Sequence, residues 1–425
     1  MLKNIEIKGL FGRFNYKLDF EGKEIVILTG PNGFGKSTIL RIVEAIANNS
    51  VFYLLKIEFK EIKFCFESEN EDIFFTLTKK NGNLYIDNML IKMSKRWSDI
   101  NRIINNIVDS YPKEKEIKDE KYSDFFNLFL KHIIVNGSLK DKKRGKVIKN
   151  DFKNQLKNLR NNIGEVRLIS EQRLLKKQNL SEKNEEIVDV VLHLPEEFQK
   201  EISKVSERYS NIANELDSTY PQRLFNAKEE IKNENEFRQY MEISKTKFDK
   251  LREYDLAEMP SIGESQYNSK YGTALKIYFD DFSKKYEVFE ALIKKFDLFT
   301  RIINSRFNFK KVKISKSHGL EIIDQSDSNK KIDLQQLSSG EKQEIILFYN
   351  LIFKTNDNLL LLIDEPEISL HIVWQKKFLE DLLKITENSK IKVILATHSP
   401  QIISNHWDLQ IDLGEQYQSD KLNSK

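Results

Sequence analysis

The sequence predicts an α/β fold whose core is split by a helical segment, and three observations support this prediction. Short apolar or alternating runs lie near both ends of the chain, and such runs are typical of strands. The middle of the chain places apolar residues three and four positions apart, which is typical of helices. A glycine-rich loop lies between a predicted strand and a predicted helix near the N-terminus. The core is therefore predicted to combine a mixed sheet with flanking helices.

The composition limits the classes of protein to which this chain belongs. Its 425 residues favour two or three domain-sized units, and its hydrophobic content of 40% is enough for a buried core. No run of about 18 apolar residues occurs, which argues against a transmembrane helix. A single cysteine excludes disulfides within the chain and cysteine-based zinc sites. The N-terminus lacks an apolar secretory segment, so we expect a cytoplasmic protein without a membrane partner.

The glycine-rich loop fits the phosphate-binding pattern G-x-x-x-x-G-K-[ST]. A buried strand over residues 24–29 precedes it, and a helical pattern follows it. Glycines let the backbone wrap around an anion, so that successive N–H groups and the helix N-terminus point at phosphate. Lys36 is expected to reach the β- and γ-phosphates, and the Ser37 hydroxyl to hold Mg²⁺. The pattern predicts a nucleoside triphosphate site formed by Gly30, Pro31, Asn32, Gly33, Phe34, Gly35, Lys36, Ser37 and Thr38.

Strand patterns surround this loop. Residues 2–20 nearly alternate between apolar and polar side chains and predict two strands. Residues 57–66 and 73–86 alternate in the same way, which predicts antiparallel hairpins. Arg13 and Phe14 have two interpretations: they contact the base or an adjacent chain, or they form an ordinary strand end with a solvated arginine. We favour the second interpretation.

Helical spacing begins near residue 93 and continues to about residue 304, apart from one return strand. A heptad-like seam over residues 195–216 indicates a short coiled coil, and Pro221 is expected to end that helix. The return strand ends in a polar turn that contains Gln172. Two roles remain open for Gln172: its amide ligates Mg²⁺ or orients a water molecule, or it is an ordinary surface residue.

A basic run lies within this middle segment. Lysine and arginine outnumber aspartate between residues 140 and 160. Such a run can follow a phosphate backbone of nucleic acid, or it can be a solvated face, which we favour. The net charge of +4 does not by itself indicate a nucleic-acid partner.

Two buried strands in the last part of the chain carry polar residues at their carboxyl ends. Residues 359–363 lead to Asp364 and Glu365, and residues 391–395 lead to His398. In open α/β sheets the ligand site lies at this end of the strands, so we expect these side chains to meet the phosphate loop. Asp364 is predicted to bind Mg²⁺, Glu365 to polarise the attacking water, and His398 to contact the γ-phosphate.

The order of these motifs resembles that of ABC-type ATPases in the SMC, RecF and overcoming-lysogenization-defect (OLD) branch. Residues 30–38 resemble Walker A, and the Leu-Ser-Ser-Gly-Glu-Lys stretch at residues 337–342 resembles the signature motif. Residues 359–365 resemble Walker B with its catalytic glutamate. Residues 369–371 resemble the D-loop, and His398 resembles the switch histidine.

This resemblance implies a P-loop ABC-type ATPase core that is split by a helical or short coiled-coil insertion. Lys36, Glu365 and His398 are then the expected catalytic residues. In this family two protomers sandwich two ATP molecules, so Ser338 and Gly340 of one chain are expected to contact the γ-phosphate bound by the other. Gln172 resembles the Q-loop glutamine, which contacts ATP and Mg²⁺. The expected parts are an N-terminal lobe, the insertion and a C-terminal lobe, at residues 1–92, 93–304 and 305–425.

The resemblance also implies a cellular role. This chain resembles a stand-alone OLD-like ATPase, which is one without a C-terminal Toprim nuclease domain. Such ATPases resemble the ATPase subunits of two-gene anti-phage systems such as PARIS or Septu. We therefore expect an ATPase that forms a homodimer or higher oligomer and regulates a separate effector such as a nuclease or toxin. The alternative is a RecF-like clamp that closes on duplex DNA in repair, which the basic run favours. A transporter motor is the least favoured interpretation, because a split core is not what such a motor needs.

Overall fold

The computed structural model describes most of the chain, and its contacts divide the chain into two compact units. The first unit contains Met1–Val188 and Lys354–Lys425, and the second contains Asp189–Phe353. No helix among the described residues is both long enough and apolar enough to cross a bilayer. The described residues are 2–48, 50–67, 71–80, 83–87, 89–93, 133–134, 157–170, 174–181, 184–256, 266–327, 330–356, 358–387 and 390–423.

Both units contain strands and helices. The strands are β1 (Leu2–Leu10), β2 (Phe14–Asp19), β3 (Ile25–Thr29), β4 (Glu61–Phe66), β5 (Ile73–Lys80), β6 (Asn83–Ile86), β7 (Met89–Met93), β8 (Ile133–Ile134), β9 (Glu165–Ile169), β10 (Leu175–Ser181), β11 (Asn184–Asp189), β12 (Lys310–Ser315), β13 (Gly319–Asp324), β14 (Lys331–Ile332), β15 (Leu359–Asp364), β16 (Lys392–Ala396) and β17 (Gln410–Asp412). The helices are α1 (Lys36–Ala47), α2 (Val51–Lys56), α3 (Leu194–Asn226), α4 (Glu234–Glu253), α5 (Gly272–Asn304), α6 (Ser339–Phe353), α7 (Ile372–Thr386), α8 (Pro400–Ile403) and α9 (Leu413–Asn423).

A five-stranded parallel sheet forms the centre of the first unit. Its strand order is β17-β3-β16-β15-β9, so β3, β16 and β15 are neighbours. Every residue of β3 and β15 is buried, as expected for strands whose two faces are both covered. The continuous apolar runs in the sequence therefore predicted these strands correctly. The return strand is also confirmed, because β9 pairs in parallel with β15.

A seven-stranded antiparallel sheet also belongs to the first unit. Its order is β2-β1-β4-β5-β6-β7-β8, which confirms the predicted hairpins. Apolar side chains of this sheet form one buried cluster with α1 and with the central parallel strands. The α1 residues Ile39, Leu40, Ile42 and Val43 are fully buried in that cluster. The α/β class is confirmed, and its parallel and antiparallel strands belong to separate sheets.

The second unit contains three long helices, α3, α4 and α5, as the helical spacing predicted. The prediction that Pro221 ends the first of them is wrong, because α3 continues to Asn226. A proline inside a helix removes one backbone hydrogen bond, and a neighbouring arginine adds bonds at this point. Arg223 donates to the backbone oxygen of Leu216 at 2.7 Å and to both carboxylate oxygens of Asp281 on α5 at 2.7 Å. This bidentate pair holds the end of α3 against α5.

A buried ion pair lies inside the second unit, between the segment after α5 and the helix α6. Arg306 Nε lies 3.8 Å from Glu344 Oε1, and the two side chains are 2% and 0% exposed. The Arg306 guanidinium also lies 4.3 Å from the centre of the Phe348 ring. Burial raises the pKa of the Glu344 carboxyl to about 8, while the charge of Arg306 opposes that change. The charge state of Glu344 therefore depends on Arg306, and the buried charge of Arg306 has Glu344 as its neighbouring acid.

The two compact units do not follow the boundaries expected from the motifs. Residues 305–353, which contain the signature motif, group by their contacts with α3, α4 and α5 rather than with the parallel sheet. The three-part division at residues 92 and 304 stays a prediction about functional lobes. The helical stripes predicted between residues 94 and 132 lie outside the described residues, as does the basic run up to residue 156.

Removing one member of the buried pair tests its energetics. Arginine cannot lose its charge, whereas a buried carboxyl can take up a proton. We expect Glu344→Met to cost about 3–5 kcal/mol of folding free energy above pH 8, where the ionised carboxylate compensates the Arg306 charge, and less below pH 8, where the carboxyl is protonated. Arg306→Met should cost less. Its cost should be small and constant up to about pH 8, because the Glu344 carboxyl stays protonated with or without Arg306. The cost should grow above pH 8, where the carboxyl ionises beside Arg306 in the wild type but stays protonated without it.

The measurement is urea unfolding followed by far-ultraviolet circular dichroism, which reports the long helices of this unit. The double variant Arg306→Met/Glu344→Met removes both charges and is the matched control. It should be more stable than Glu344→Met alone. Equal losses for the two single variants at every pH would contradict this account of the pair.

Candidate functional site

The phosphate loop joins β3 to α1 through a left-handed backbone. Gly30 has a φ of 137° and Gly35 a φ of 89°, both in the region that favours glycine. A Cβ on Gly35 would lie 2.9 Å from Cδ2 of Leu10, so the position also lacks room for a side chain. Helix α1 begins directly after Gly35, and its first N–H groups point towards the loop. This backbone has the form of an anion cradle, whose exposed part is Pro31, Asn32 and Gly33.

Aromatic side chains from other segments pack against Phe34 of the phosphate loop. The Phe34 ring packs against Phe14 and Tyr417, with ring centres 5.1 and 5.8 Å apart. The Tyr16 hydroxyl donates to the backbone oxygen of Phe34 at 2.8 Å, and burial raises the pKa of that hydroxyl. Phe14 is buried and Arg13 is exposed, which agrees with the strand-end interpretation of these two residues. The side chain of Phe34 thus serves packing, and its backbone faces the loop.

Lys36 lies at the centre of the site and is only 4% exposed. Its Nζ donates to the backbone oxygen of Gly30 at 2.9 Å and lies 2.6 Å from Nε2 of His398. An ammonium group can only donate, so this contact requires a neutral His398 whose Nε2 accepts. Burial lowers the pKa of Lys36, and the carboxylates of Glu365 and Asp364 oppose that change. The structure thus brings the predicted lysine and histidine together.

Ser37 and Asp364 form the candidate Mg²⁺ site. The Ser37 hydroxyl donates to Oδ1 of Asp364 at 2.9 Å. Two neighbouring ligands of an octahedral Mg²⁺ with bonds of about 2.1 Å lie about 3 Å apart, so the two oxygens fit this ion. No group of three or more His, Cys, Asp or Glu side chains suited to a metal occurs among the described residues. Mg²⁺ would therefore be held by one hydroxyl and one carboxylate, with substrate phosphates and waters as its other ligands.

Glu365 occupies a strained position at the end of β15. Its φ of 45° and ψ of 62° are left-handed, which is uncommon for a residue other than glycine. Its N–H donates to the backbone oxygen of Ala396 at 2.9 Å, and its Oε1 lies 3.5 Å from Nε2 of His398. Burial lowers the pKa of His398 and the charge of Lys36 lowers it further, and both effects favour the neutral imidazole. Strain of this kind is typical of functional sites.

The signature segment belongs to the second unit and begins with a capping box. The backbone N–H and the hydroxyl of Ser338 both donate to Oε2 of Glu341, at 2.8 and 2.9 Å. Lys310 of β12 donates to the same carboxylate at 2.8 Å and holds its pKa below the ordinary value, against the effect of burial. The next residue, Lys342, donates to Asp189 at 2.8 Å. These contacts fix the first turn of α6 and leave Ser338 exposed.

The predicted roles of the signature residues and of Gln172 stay predictions. Gly340 lies in the first turn of α6, next to the capping box. Whether Ser338 and Gly340 contact a phosphate depends on a second chain. Gln172 lies outside the described residues, although the strand before it, β9, belongs to the parallel sheet. Thr38 lies in the first turn of α1, beside Ser37.

Two supporting residues were missed by the sequence analysis. Asp412 accepts from the Thr29 hydroxyl at 3.2 Å, and its other oxygen accepts from the Gly414 N–H at 2.7 Å. It therefore links the last residue of β3 to the start of α9. Glu367 accepts hydrogen bonds from the turn that carries His398. The only signals in the sequence were an aspartate before a helical stretch and a second acid after Asp364.

The strained backbone at Glu365 has a measurable cost. We expect Glu365→Gly to be more stable than Glu365→Gln by about 1 kcal/mol, because glycine adopts a positive φ without a Cβ clash. Both variants lack the carboxylate, so their difference isolates the backbone. Urea unfolding followed by tryptophan fluorescence measures it. A glycine variant that is no more stable than the glutamine variant would show that Glu365 is not strained.

Comparison with known proteins identifies a family. The family described as an AAA ATPase domain matches residues 1–403. No curated protein sequence matches the chain. Among solved structures, the SMC head domain from Thermotoga maritima aligns with 11% identity and a TM-score of 0.37, and it covers 95% of this chain and 90% of that one.

A second solved structure is a Smc head domain from Pyrococcus furiosus with an extended coiled coil, bound to the C-terminal domain of ScpA. It aligns with 12% identity and a TM-score of 0.36, covering 95% of this chain and 91% of that one. Both likenesses are distant, so the assignment rests on the family match. The match covers the strand and the helix that flank the phosphate loop and both strands that lead to Asp364 and His398. The chain belongs to the AAA ATPase domain family.

Proposed function

We propose that this chain binds ATP with Mg²⁺ and hydrolyses the bond to the γ-phosphate at the edge of its parallel sheet. One observation carries the proposal: Lys36, Ser37, Asp364, Glu365 and His398 meet at the carboxyl ends of three neighbouring strands. Each of these side chains lies within hydrogen-bonding or ion-pair distance of another of the five. A sheet edge of this kind is where α/β proteins bind their ligands.

Each of the five side chains has its own proposed role in binding or hydrolysing ATP. Lys36 supplies a positive charge for the β- and γ-phosphates, and the N–H groups of the loop surround the same oxygens. Ser37 and Asp364 would hold Mg²⁺, which neutralises charge that develops on the phosphates. Glu365 polarises the attacking water. His398, neutral and able to donate from one ring nitrogen, hydrogen-bonds the γ-phosphate and keeps water and Glu365 in place.

The proposed active form is a homodimer that encloses ATP between its protomers. Apolar side chains after β15 support this part of the proposal. Ile368, Ile372 and Val373 are 52%, 57% and 54% exposed, and they flank the segment that resembles the D-loop. Exposed apolar side chains grouped in this way are typical of interaction surfaces. Ser338, which is also exposed, would then contact the nucleotide of the partner protomer.

The proposed role is that of a cytoplasmic regulator of a separate effector, such as a nuclease or toxin, in anti-phage defence. The support for this role is the resemblance of the motif set to the ATPase subunits of two-gene defence systems. The alternative, a DNA clamp, depends on a basic run of which only residues 157–160 are described. Among the residues that the structure describes, nothing favours the alternative, and binding of duplex DNA is one outcome of the partner experiment.

The test compares Glu365→Gln with Lys36→Ala. Glu365→Gln should bind ATP, hydrolyse it at least about 100-fold more slowly than the wild type, and accumulate as a dimer, because only the polarising carboxylate is lost. Lys36→Ala should neither bind ATP nor dimerise. Equilibrium binding of ATP, phosphate release and light scattering after gel filtration measure these properties. Wild-type hydrolysis by Glu365→Gln would overturn the assignment of the base.

The same pair of variants tests whether the protein regulates a separate effector. Glu365→Gln is used to capture partners from nuclease-treated lysate of the native host in the presence of ATP, with Lys36→Ala as the control. A single protein that is recovered only with Glu365→Gln, and that is a nuclease or toxin, is the expected result. Recovery of no protein, together with tight and salt-dependent binding of duplex DNA, would replace the proposed role with that of a clamp.

A further inference from the structure

Glu367 is a carboxylate at the edge of the parallel sheet to which the proposed reaction gives no role. Its Oε1 accepts three hydrogen bonds from the turn that follows β16. The donors are the Thr397 hydroxyl at 2.6 Å, the His398 N–H at 2.6 Å and the Ser399 N–H at 3.1 Å. All three donors belong to consecutive residues, and the middle one is the histidine of the site. A single oxygen thus binds three consecutive residues of this turn.

The sequence places Glu367 there through the register of the sheet. Asp364 of β15 lies opposite Ala396 of β16, so the segments that follow the two strands leave the sheet side by side. Left-handed backbone at Glu365 then turns the chain, and Pro366 begins a short 3-10 helix that ends at Ser369. This turn carries Glu367 across to the segment that follows β16.

The other surroundings of Glu367 favour a fixed side chain. Thr397 is fully buried. The second carboxylate oxygen, Oε2, is shielded from solvent and receives no hydrogen bond from any described residue. A buried carboxylate oxygen without a partner is costly, so packing alone does not explain an acid here. Hydrogen bonds to an ionised acceptor are the stronger kind, and three of them converge on Oε1.

We propose that Glu367 is a positioning residue, which holds the backbone of His398 so that its imidazole faces Lys36 and Glu365. This inference rests on the proposed function, in which His398 contacts the γ-phosphate. Glu367 itself touches neither ATP nor the attacking water. It acts on hydrolysis only through the histidine. Removing it moves the imidazole and leaves the loop around Lys36 and Ser37 in place.

Four variants of full-length protein separate the parts of this proposal. Glu367→Ala removes the acceptor. Glu367→Gln keeps an oxygen at the same reach without the charge, and Glu367→Asp keeps the charge with a shorter reach. Glu380→Ala, on the exposed face of α7, is the matched control and should hydrolyse ATP like the wild type. Thermal unfolding of each variant verifies that it is folded.

The expected result is a loss of turnover without a loss of binding. Glu367→Ala and Glu367→Asp should lower kcat by about 10- to 100-fold, as displacement of a catalytic group by about 1 Å does. The Kd for ATP should change by less than about threefold, because Lys36 and the loop remain. Glu367→Gln should recover kcat to within about threefold of the wild type. A residue that served only to stabilise the fold would not separate kcat from Kd in this way.

A double-mutant cycle decides whether Glu367 acts through His398. Added to His398→Ala, Glu367→Ala should lower kcat by less than about twofold further, because the group that it positions is absent. A further large loss in that background would overturn the proposal, and so would full turnover by folded Glu367→Ala. Failure of the proposed function has a different signature, since His398→Ala would then hydrolyse ATP at the wild-type rate.

Discussion

The parallel alignment of β3, β16 and β15 is the constraint on which the candidate site depends. Because these strands are neighbours and point the same way, the phosphate loop, the histidine turn and the two acids meet at one edge. Segments far apart in sequence supply Lys36, Asp364 and His398, and the sheet alone brings them within contact distance. The full burial of β3 and β15 keeps this register fixed, since a slip would expose apolar side chains.

Much of this arrangement follows from local patterns in the sequence. Continuous apolar runs identified the buried parallel strands, and alternation identified the antiparallel hairpins, because each pattern reports how many faces a strand buries. The supporting residues were not predictable in the same way. Tyr16, Tyr417 and Asp412 act through contacts between distant segments, and their own neighbours in sequence carry no signal. The prediction that Pro221 ends α3 was wrong because it considered only the local effect of proline on a helix. The ion pair between Arg223 and Asp281, which only the tertiary structure provides, holds the helix together beyond Pro221.

In the second unit, ion pairs rather than strand pairing hold the signature segment in place. The first three charged residues of α6 are each paired. Glu341 pairs with Lys310, Lys342 with Asp189, and Glu344 with Arg306. Their partners lie at the two ends of the long helical segment, so the orientation of Ser338 is tied to the base of those helices. The three ion pairs therefore connect the signature segment to both ends of the long helical segment.

The central claim is that each ATP site takes its phosphate loop from one protomer and its signature segment from another, and a mixing experiment tests it most directly. Lys36→Ala disables the loop of its own chain, and Ser338→Arg blocks the signature segment of its own chain, so each variant alone should be inactive. A mixed dimer contains one intact site. An equal mixture should therefore regain ATPase activity, because ATP bound by the loop of the Ser338→Arg chain meets the intact signature segment of the Lys36→Ala chain. Random pairing would give roughly one quarter of the wild-type rate, since about half of the dimers are then mixed and each has one of its two sites intact. A mixture no more active than the separate variants would contradict the claim.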